Sequence, residues 1–277
     1  MDTIKPCSPH SRHHSPCRNI IKYLLTLLLP QTCLLCQKAC HKEIPGLHVQ
    51  PSLQQIPLIC THCYDLLPHL TQSCPRCALP MPVSSVTCGQ CLRQQPTFDA
   101  ALAGFLYEPP LSQLIHHFKQ HKHLLTGQLL SMLLLEKITR YYQQPHCDMV
   151  IPDIIAPAPL HWRRQWIRGF NQSTLLARPI AAALGRPLFS GLVYTQAPAD
   201  QKRLSRTKRW QNRRQHLAVT PHHHHGKHPQ LKGKSVAIID DVVTSGATAN
   251  DIAYHLKKAG AIEVHIWSVA RTPLAPL

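Results

Sequence analysis

Acidic side chains are scarce in this chain. Asp and Glu number 13 against 30 Lys and Arg, a formal net charge of +17. That balance argues against cationic partners. It favours anionic ones: phosphates, nucleic acid or an anionic surface. Long apolar runs are missing too. The leucine-rich stretch Tyr23–Leu29 is far short of the ~20 residues that a spanning helix needs, so no membrane span is expected. No small-x-small cleavage site follows Leu29. The stretch is therefore read as a short helix packed beside a cysteine knuckle rather than as a secretory leader.

Residues 20–95 also lack regular apolar periodicity, and Pro57, Pro68, Pro75, Pro80 and Pro82 interrupt them. A segment of this kind needs cross-links to hold a shape. Four CxxC pairs supply candidates: Cys33/Cys36, Cys60/Cys63, Cys74/Cys77 and Cys88/Cys91, separated by 23, 10 and 10 residues. Such pairs read as tetrahedral thiolate ligands of structural zinc, not as a disulfide framework. The simplest grouping is sequential, the first four cysteines on one ion and the last four on a second. The spacing leaves an interleaved grouping open, and Cys40 or His41 could substitute in the first site. Thiolate sites and free thiols fit a reducing compartment, so the expected location is the cytoplasm.

Three regions follow from these patterns. Residues 1–19, rich in Pro and His, read as a disordered extension with Cys7 and Cys17 spare. Residues 20–95 form the double zinc-ribbon module. Residues 98–277 alternate helices and strands, which predicts an α/β domain with a mostly parallel sheet. Helices are expected at Leu111–Phe118, Leu124–Tyr142, Ser173–Leu184 (stopped by Gly185) and Ala249–Lys258. Strands are expected at Asp153–Leu160, Ser235–Ile239 and Val264–Val269, and His222–His225 reads as an exposed loop.

The most specific segment runs from Val236 to Thr248. An apolar run fits a central parallel strand buried on both faces. It leads into adjacent carboxylates, Asp240 and Asp241, then Thr244-Ser245-Gly246-Ala247-Thr248, then a helix. Ligands of open α/β sheets sit at the carboxyl ends of strands, and a helix start offers backbone donors to phosphate. Thr244, Ser245 and Thr248 add hydroxyls, and Gly246 permits positive φ. The carboxylates suit a ribose diol or a hydrated Mg²⁺ on a diphosphate. Asp251, one turn down the helix, is expected to be a bystander.

This segment resembles the 5-phosphoribosyl diphosphate-binding signature of type I phosphoribosyltransferases. The resemblance implies that Asp240 and Asp241 are the catalytic pair, held to the ribose hydroxyls. It also implies that Thr244, Ser245, Gly246, Ala247 and Thr248 cradle the 5-phosphate.

A second loop carries Arg163, Arg164, Arg168, Gly169, Phe170 and Asn171 after a strand. Its three guanidinium groups can grip a diphosphate bidentately. This block resembles the characteristic motif of the ComF/GntX family. So do Tyr107-Glu108-Pro109-Pro110-Leu111 with Leu114, Ile115 and Lys119, and the basic segment with Gln201, Leu204, Ser205, Arg209 and Asn212. The likeness spans residues 24–272 and is nearest to the enterobacterial GntX proteins. It implies a double zinc ribbon ahead of a type I phosphoribosyltransferase-like sheet, with zinc structural and magnesium accompanying the diphosphate ligand.

Two kinds of function follow. One is a protein of DNA uptake, or of the use of external DNA as nutrient. It would bind the phosphoribosyl ligand and partner single-stranded DNA or DNA-uptake proteins. The alternative is an active phosphoribosyltransferase of nucleotide metabolism with an unidentified acceptor. Arg203, Arg206, Lys208, Arg209, Arg213 and Arg214 suit phosphate contacts that carry no sequence preference. Trp162, Trp166 and Trp210 are read as packed residues before base platforms.

Overall fold

A computed structural model describes residues 32–40, 58–83, 86–121, 123–144, 149–160, 166–194, 217–220, 222–223, 226–227 and 230–273. Tyr23–Leu29 and the basic segment 201–216 lie outside the described residues, as do Trp162 and Trp210.

In chain order the elements are α1 (Thr61–Asp65), α2 (Gly89–Arg93), β1 (Ala100–Leu106), α3 (Leu111–His121), α4 (Leu124–Tyr142), β2 (Ile154–Pro157), α5 (Gln172–Leu184), β3 (Leu192–Tyr194), β4 (Leu217–Val219), β5 (His222–His223), β6 (Gly226–Lys227), β7 (Ser235–Val243), α6 (Ala247–Lys258) and β8 (Glu263–Arg271). Four strands form a wholly parallel sheet in the order β1-β8-β7-β2. The two central strands carry the apolar runs. Alternation splits them between two cores. Ala237, Ile239, Trp267 and Val269 face Leu129, Leu133 and Ile138 of α4 and Leu176 and Ile180 of α5. Val236, Ile238, Val264 and Ile266 face Ile252, Ala253 and Leu256 of α6.

Several boundaries differ from expectation. β7 continues four residues past Ile239, because β8 keeps pairing with it: Asp240 lies opposite Ser268 and Val243 opposite Arg271. The two acids are therefore strand residues. α6 starts at Ala247 on an N-cap Gly246 with φ 75°, so Ala247 and Thr248 belong to the helix. His222–His223 pairs with Gly226–Lys227 instead of forming an open loop. β1 had no clear signal, since Ala100, Ala101, Ala103 and Gly104 have weak strand preference.

The cysteine segments are built into the same cores. Cys33, Cys63, Tyr64 and Leu67 pack with the α4 face. Cys74, Cys77, Leu79, Cys88, Cys91 and Phe98 pack with the α6 face. Residues 68–70 run along the sheet edge. There Leu106 N donates to Pro68 O and Leu70 N to Gly104 O, which covers the exposed rim of β1.

A polar network fixes the first cysteine segment to α4. Lys137 Nζ lies 3.0 Å from His69 Nδ1, and His69 Nε2 lies 2.9 Å from Tyr64 O. Neutral His69 fits both contacts, accepting from Lys137 and donating to the carbonyl. Burial, and then the Lys137 charge, push its pKa below the usual imidazole range. Protonation is thus easier in the unfolded chain, and the stability this network provides is lost as pH falls below about 6.5. In melts run from about pH 7.5 down to about pH 5, the parent is expected to lose melting temperature more steeply than His69→Gln. Parallel curves would refute the assignment.

Candidate functional site

The site is assembled at the carboxyl end of β7. Asp240 Oδ1 accepts from Ser173 Oγ at 3.2 Å and from Asp241 N at 2.9 Å. Ser173 stands in the first turn of α5. Asn171 holds it there: its side-chain oxygen caps Ser173 N at 2.9 Å, and its Nδ2 donates to Ala158 O at 3.0 Å. That carbonyl begins the loop after β2. Ala158 N in turn donates to Ile239 O, which ties the loop to β7.

The two acids differ in environment. Asp240 is half-buried. Asp241 is 4% exposed, and Lys119 Nζ of α3 sits 2.9 Å from its Oδ1. Its Oδ2 is buried with no hydrogen-bond partner among the described residues. Burial, together with the adjacent Asp241 charge, pushes Asp240 up to about 7. Both causes favour the protonated form of Asp240 beyond that of a free carboxyl. Asp241 is therefore part of the packed structure, and its removal strands Lys119. Asp251 is also no bystander, being 4% exposed within α6.

After Val243 the chain turns through exposed Thr244 and Ser245 to Gly246. Ser245 Oγ accepts from Ala247 N at 3.4 Å, and α6 begins. Phe98 and Asn250 brace the turn: Thr97 N donates to Asn250 Oδ1 at 2.7 Å, and Asn250 N donates to Gly246 O. The turn thus presents hydroxyls and helix-start amides to solvent, an arrangement suited to phosphate.

One residue under this turn escaped sequence reasoning. Arg271, at the end of β8, is 3% exposed. Its Nη1 donates to Val243 O and Thr272 O at 3.1 and 3.0 Å and to Thr244 O; its Nε donates to Cys77 O at 3.1 Å. It joins the 244–246 turn to the second cysteine group. Burial lowers its pKa, while the thiols of Cys77, Cys88 and Cys91 work the other way. An arginine ending an apolar strand was the available signal.

Of the arginine loop, Arg168 is half-buried in a helical turn at 166–168. It lies between β2 and Ser173, in the loop that meets Asp240. Arg163 and Arg164 lie outside the described residues. Trp166, expected to be packed, is 86% exposed, and Ile167 beside it is 80% exposed.

The eight CxxC cysteines form two groups in the sequential arrangement: Cys33, Cys36, Cys60, Cys63 and Cys74, Cys77, Cys88, Cys91. Within each, the sulfurs lie within 4.8 Å of one another. Sulfurs at ~2.3 Å from a tetrahedral ion stand roughly 3.8 Å apart. Cys36–Cys60 at 3.8 Å and Cys77–Cys88 at 3.6 Å fit this spacing. Backbone amides point at the sulfurs, as Leu35 N does to Cys33 at 3.4 Å and Cys88 N to Cys74 at 3.3 Å. Burial pushes the Cys33 and Cys74 thiols up, but these amides outweigh it and bring both down to about 7. The donor sets are able to hold a thiophilic metal.

The fold is phosphoribosyltransferase-like: a parallel sheet with an acid pair and a turn of hydroxyls at the end of a central strand, behind two groups of four cysteines. No family model matches the chain. It is 34% identical over 215 residues to the DNA utilization protein YhgH of Salmonella typhimurium, covering 77% of this chain and 90% of that protein. To the protein of that name from Escherichia coli K12 it is 36% identical, covering 72% and 84%. To Competence protein F of Haemophilus influenzae it is 31% identical over 244 residues, covering 86% and 96%. The chain belongs to this family, the ComF/GntX proteins.

Among solved structures, part of the chain is similar to glutamine phosphoribosylpyrophosphate amidotransferase from B. subtilis. The identity is 23% and the TM-score 0.33, over 50% of this chain and 25% of that one. The chain spans about a quarter of that enzyme's length. Purine phosphoribosyltransferase from Pyrococcus horikoshii Ot3 gives 23% identity and a TM-score of 0.32, over 55% of this chain and 77% of that one. Among the described residues, no helix is long and apolar enough to cross a membrane.

Proposed function

We propose that this protein binds 5-phosphoribosyl diphosphate at the end of β7 and acts, in the cytoplasm, in the use of external DNA. One observation carries the ligand reading. A half-buried carboxyl near neutrality and a buried carboxylate with an unsatisfied oxygen stand at the head of a turn of hydroxyls and helix-start amides. Asp240 and Asp241 take the ribose diol. Thr244, Ser245, Gly246, Ala247 and Thr248 take the 5-phosphate. Arg168, with Arg163 and Arg164, takes the diphosphate. Bound magnesium would neutralise part of the diphosphate charge, and the carboxylate pair suits its hydrated form. Zinc in the two cysteine groups has a structural role, since each group already offers four sulfurs and so leaves no ligand position open. Titration calorimetry with the ligand, with and without magnesium, tests the reading. Heat of binding that is absent under both conditions overturns it.

The names of the relatives support the DNA role, and the net charge of +17 supplies the means. Single-stranded DNA is expected to bind with little sequence preference and to lose affinity steeply with salt. Replacing Arg209, Arg213 and Arg214 with alanine together is expected to lower the slope of log affinity against log salt by about 2, at ~0.7 for each phosphate no longer neutralised. Fluorescence anisotropy across salt concentrations of roughly 50–200 mM reads the slope. An unchanged slope would remove this segment from the interface. The exposed Trp166 and Ile167 in the arginine loop favour a second reading, transfer to a planar acceptor stacked on that loop. Release of diphosphate on adding a nucleobase would report it.

A further inference from the structure

Lys119 stands on α3, yet its ammonium reaches the acid pair on β7. The reach is built in. The preceding residue, Phe118, is fully buried and lies 5.9 Å, ring to ring, from Phe170 in the arginine loop. On its other side it presses on Gly127 of α4, where a Cβ would come within 2.6 Å of the Phe118 ring. Only glycine admits that approach, so α3 is wedged at one height beside the site. Leu111, Leu114 and Ile115 bury the rest of its inner face.

The charges at this point are unusual for a polyanion site. Asp240 and Asp241 are adjacent carboxyls, and together they would repel a diphosphate. Lys119 offsets one of them at 2.9 Å with its side chain 23% exposed, while that of Asp241 is 5% exposed. A pair this sheltered is screened far less than a surface pair. The contact occupies Asp241 Oδ1 and leaves Oδ2, the buried oxygen without a partner among the described residues.

We propose that Lys119 is a positioning residue of the ligand site. It clamps Asp241 Oδ1 and so fixes the Asp241 carboxylate beside Asp240, and it supplies in the protein part of the positive charge that a divalent cation would otherwise bring. The inference rests on the phosphoribosyl reading for its ligand, but not for its charge balance. With Lys119 present, the three groups sum to −1 when both acids are ionised; without it they sum to −2. Losing the lysine therefore makes binding of the polyanion depend on magnesium, and makes the pair itself a better magnesium ligand.

The experiment compares the parent, Lys119→Met, Lys119→Arg and Lys119→Met/Asp241→Asn as full chains. Calorimetry is run with 5-phosphoribosyl diphosphate, after desalting and again at saturating magnesium, and with magnesium alone. Lys119→Met is expected to lose about 10- to 100-fold in ligand affinity without magnesium and to come back within about threefold when magnesium saturates. Lys119→Arg, which keeps the charge, stays within about threefold in both states. Magnesium alone binds Lys119→Met about tenfold more tightly than the parent. The double variant removes the stranded carboxylate. It is expected to fold even if Lys119→Met does not, and to bind magnesium no better than the parent.

A loss in Lys119→Met that is equal with and without magnesium would make the lysine merely structural and overturn the proposal. So would no loss at all, or unchanged binding of magnesium alone. If the parent takes no phosphoribosyl ligand in any state, it is the ligand reading that fails, and magnesium alone still decides the role of Lys119.

Discussion

Gly246→Val is expected to lower affinity for 5-phosphoribosyl diphosphate by about a hundredfold or more, with the fold retained. Gly246 has φ 75° and is the N-cap of α6. An L-residue there pays roughly 1–2 kcal/mol, and a β-branched one more. Space is not the difficulty. A Cβ at this position would meet the Phe98 ring at 3.9 Å, an ordinary separation. The chain therefore relieves the strain by moving the turn. Thr244 and Ser245 then leave the positions from which, on the proposed reading, their groups meet the phosphate. A loss of about 2.7 kcal/mol is the hundredfold effect. Gly246→Ala, with the same φ but no branch, is expected to lose about tenfold. Ile262→Ser, at an exposed position before β8, serves as the control and should change little. Calorimetry reads the affinities and circular dichroism the fold. A folded Gly246→Val with parental affinity would reduce the turn to a connection between strand and helix.

What was readable in the residues was local. Strand, acid pair, hydroxyls and glycine follow one another within 236–248, so their common location is a matter of chain continuity. The cysteine grouping is similar, because short spacers favour knuckles that meet their neighbours. The unread parts are long-range. Lys119 and Asp241 are far apart in the chain and meet only because α3 is wedged by Phe118 against Gly127 and Phe170. Arg271 reaches Cys77 from the last strand. Alternation puts neighbouring strand residues on opposite faces, although at a strand end both acids can still turn toward one ligand. It did not tell which would be covered, since that depends on where α3 crosses. The same gap explains Asp251, whose helix period does not reveal that its face is packed. β1 was obscured for another reason: its alanines and Gly104 lack the branched side chains that mark a strand.

Removing metal is expected to unfold the whole protein in one transition. Freshly purified, reduced protein should hold about two zinc ions per chain, one for each group of four thiols. The groups do not form a detachable cap. Cys33 and Cys63 share a core with Leu133 and Trp267, and Cys74, Cys77, Cys88 and Cys91 share the other with Val236 and Ile252. Four clustered thiolates without their ion would repel one another and take up protons, loosening both cores. Arg271 adds a specific link, since it spans from Cys77 O to the carbonyls of Val243 and Thr244. Loosening the second group therefore also releases the phosphate turn. Structural zinc contributes about 10–16 kcal/mol in small zinc modules, against a usual stability of about 5–15 kcal/mol for a domain. Even partial loss of that contribution outweighs what the sheet retains. Cys74→Ser is expected to lower the melting temperature by at least about 10 °C, as a loss of roughly 4 kcal/mol or more would do at this chain length. It should also weaken 5-phosphoribosyl diphosphate binding more than Cys33→Ser does, because only the second group touches Arg271. Elemental analysis, calorimetric melting and ligand titration on the three proteins check the chain of reasoning. Less than half an ion per chain in the parent would end the metal assignment. A Cys74→Ser protein that melts within a degree or two of the parent and binds ligand as well would show that the cysteine groups and the phosphate turn are independent.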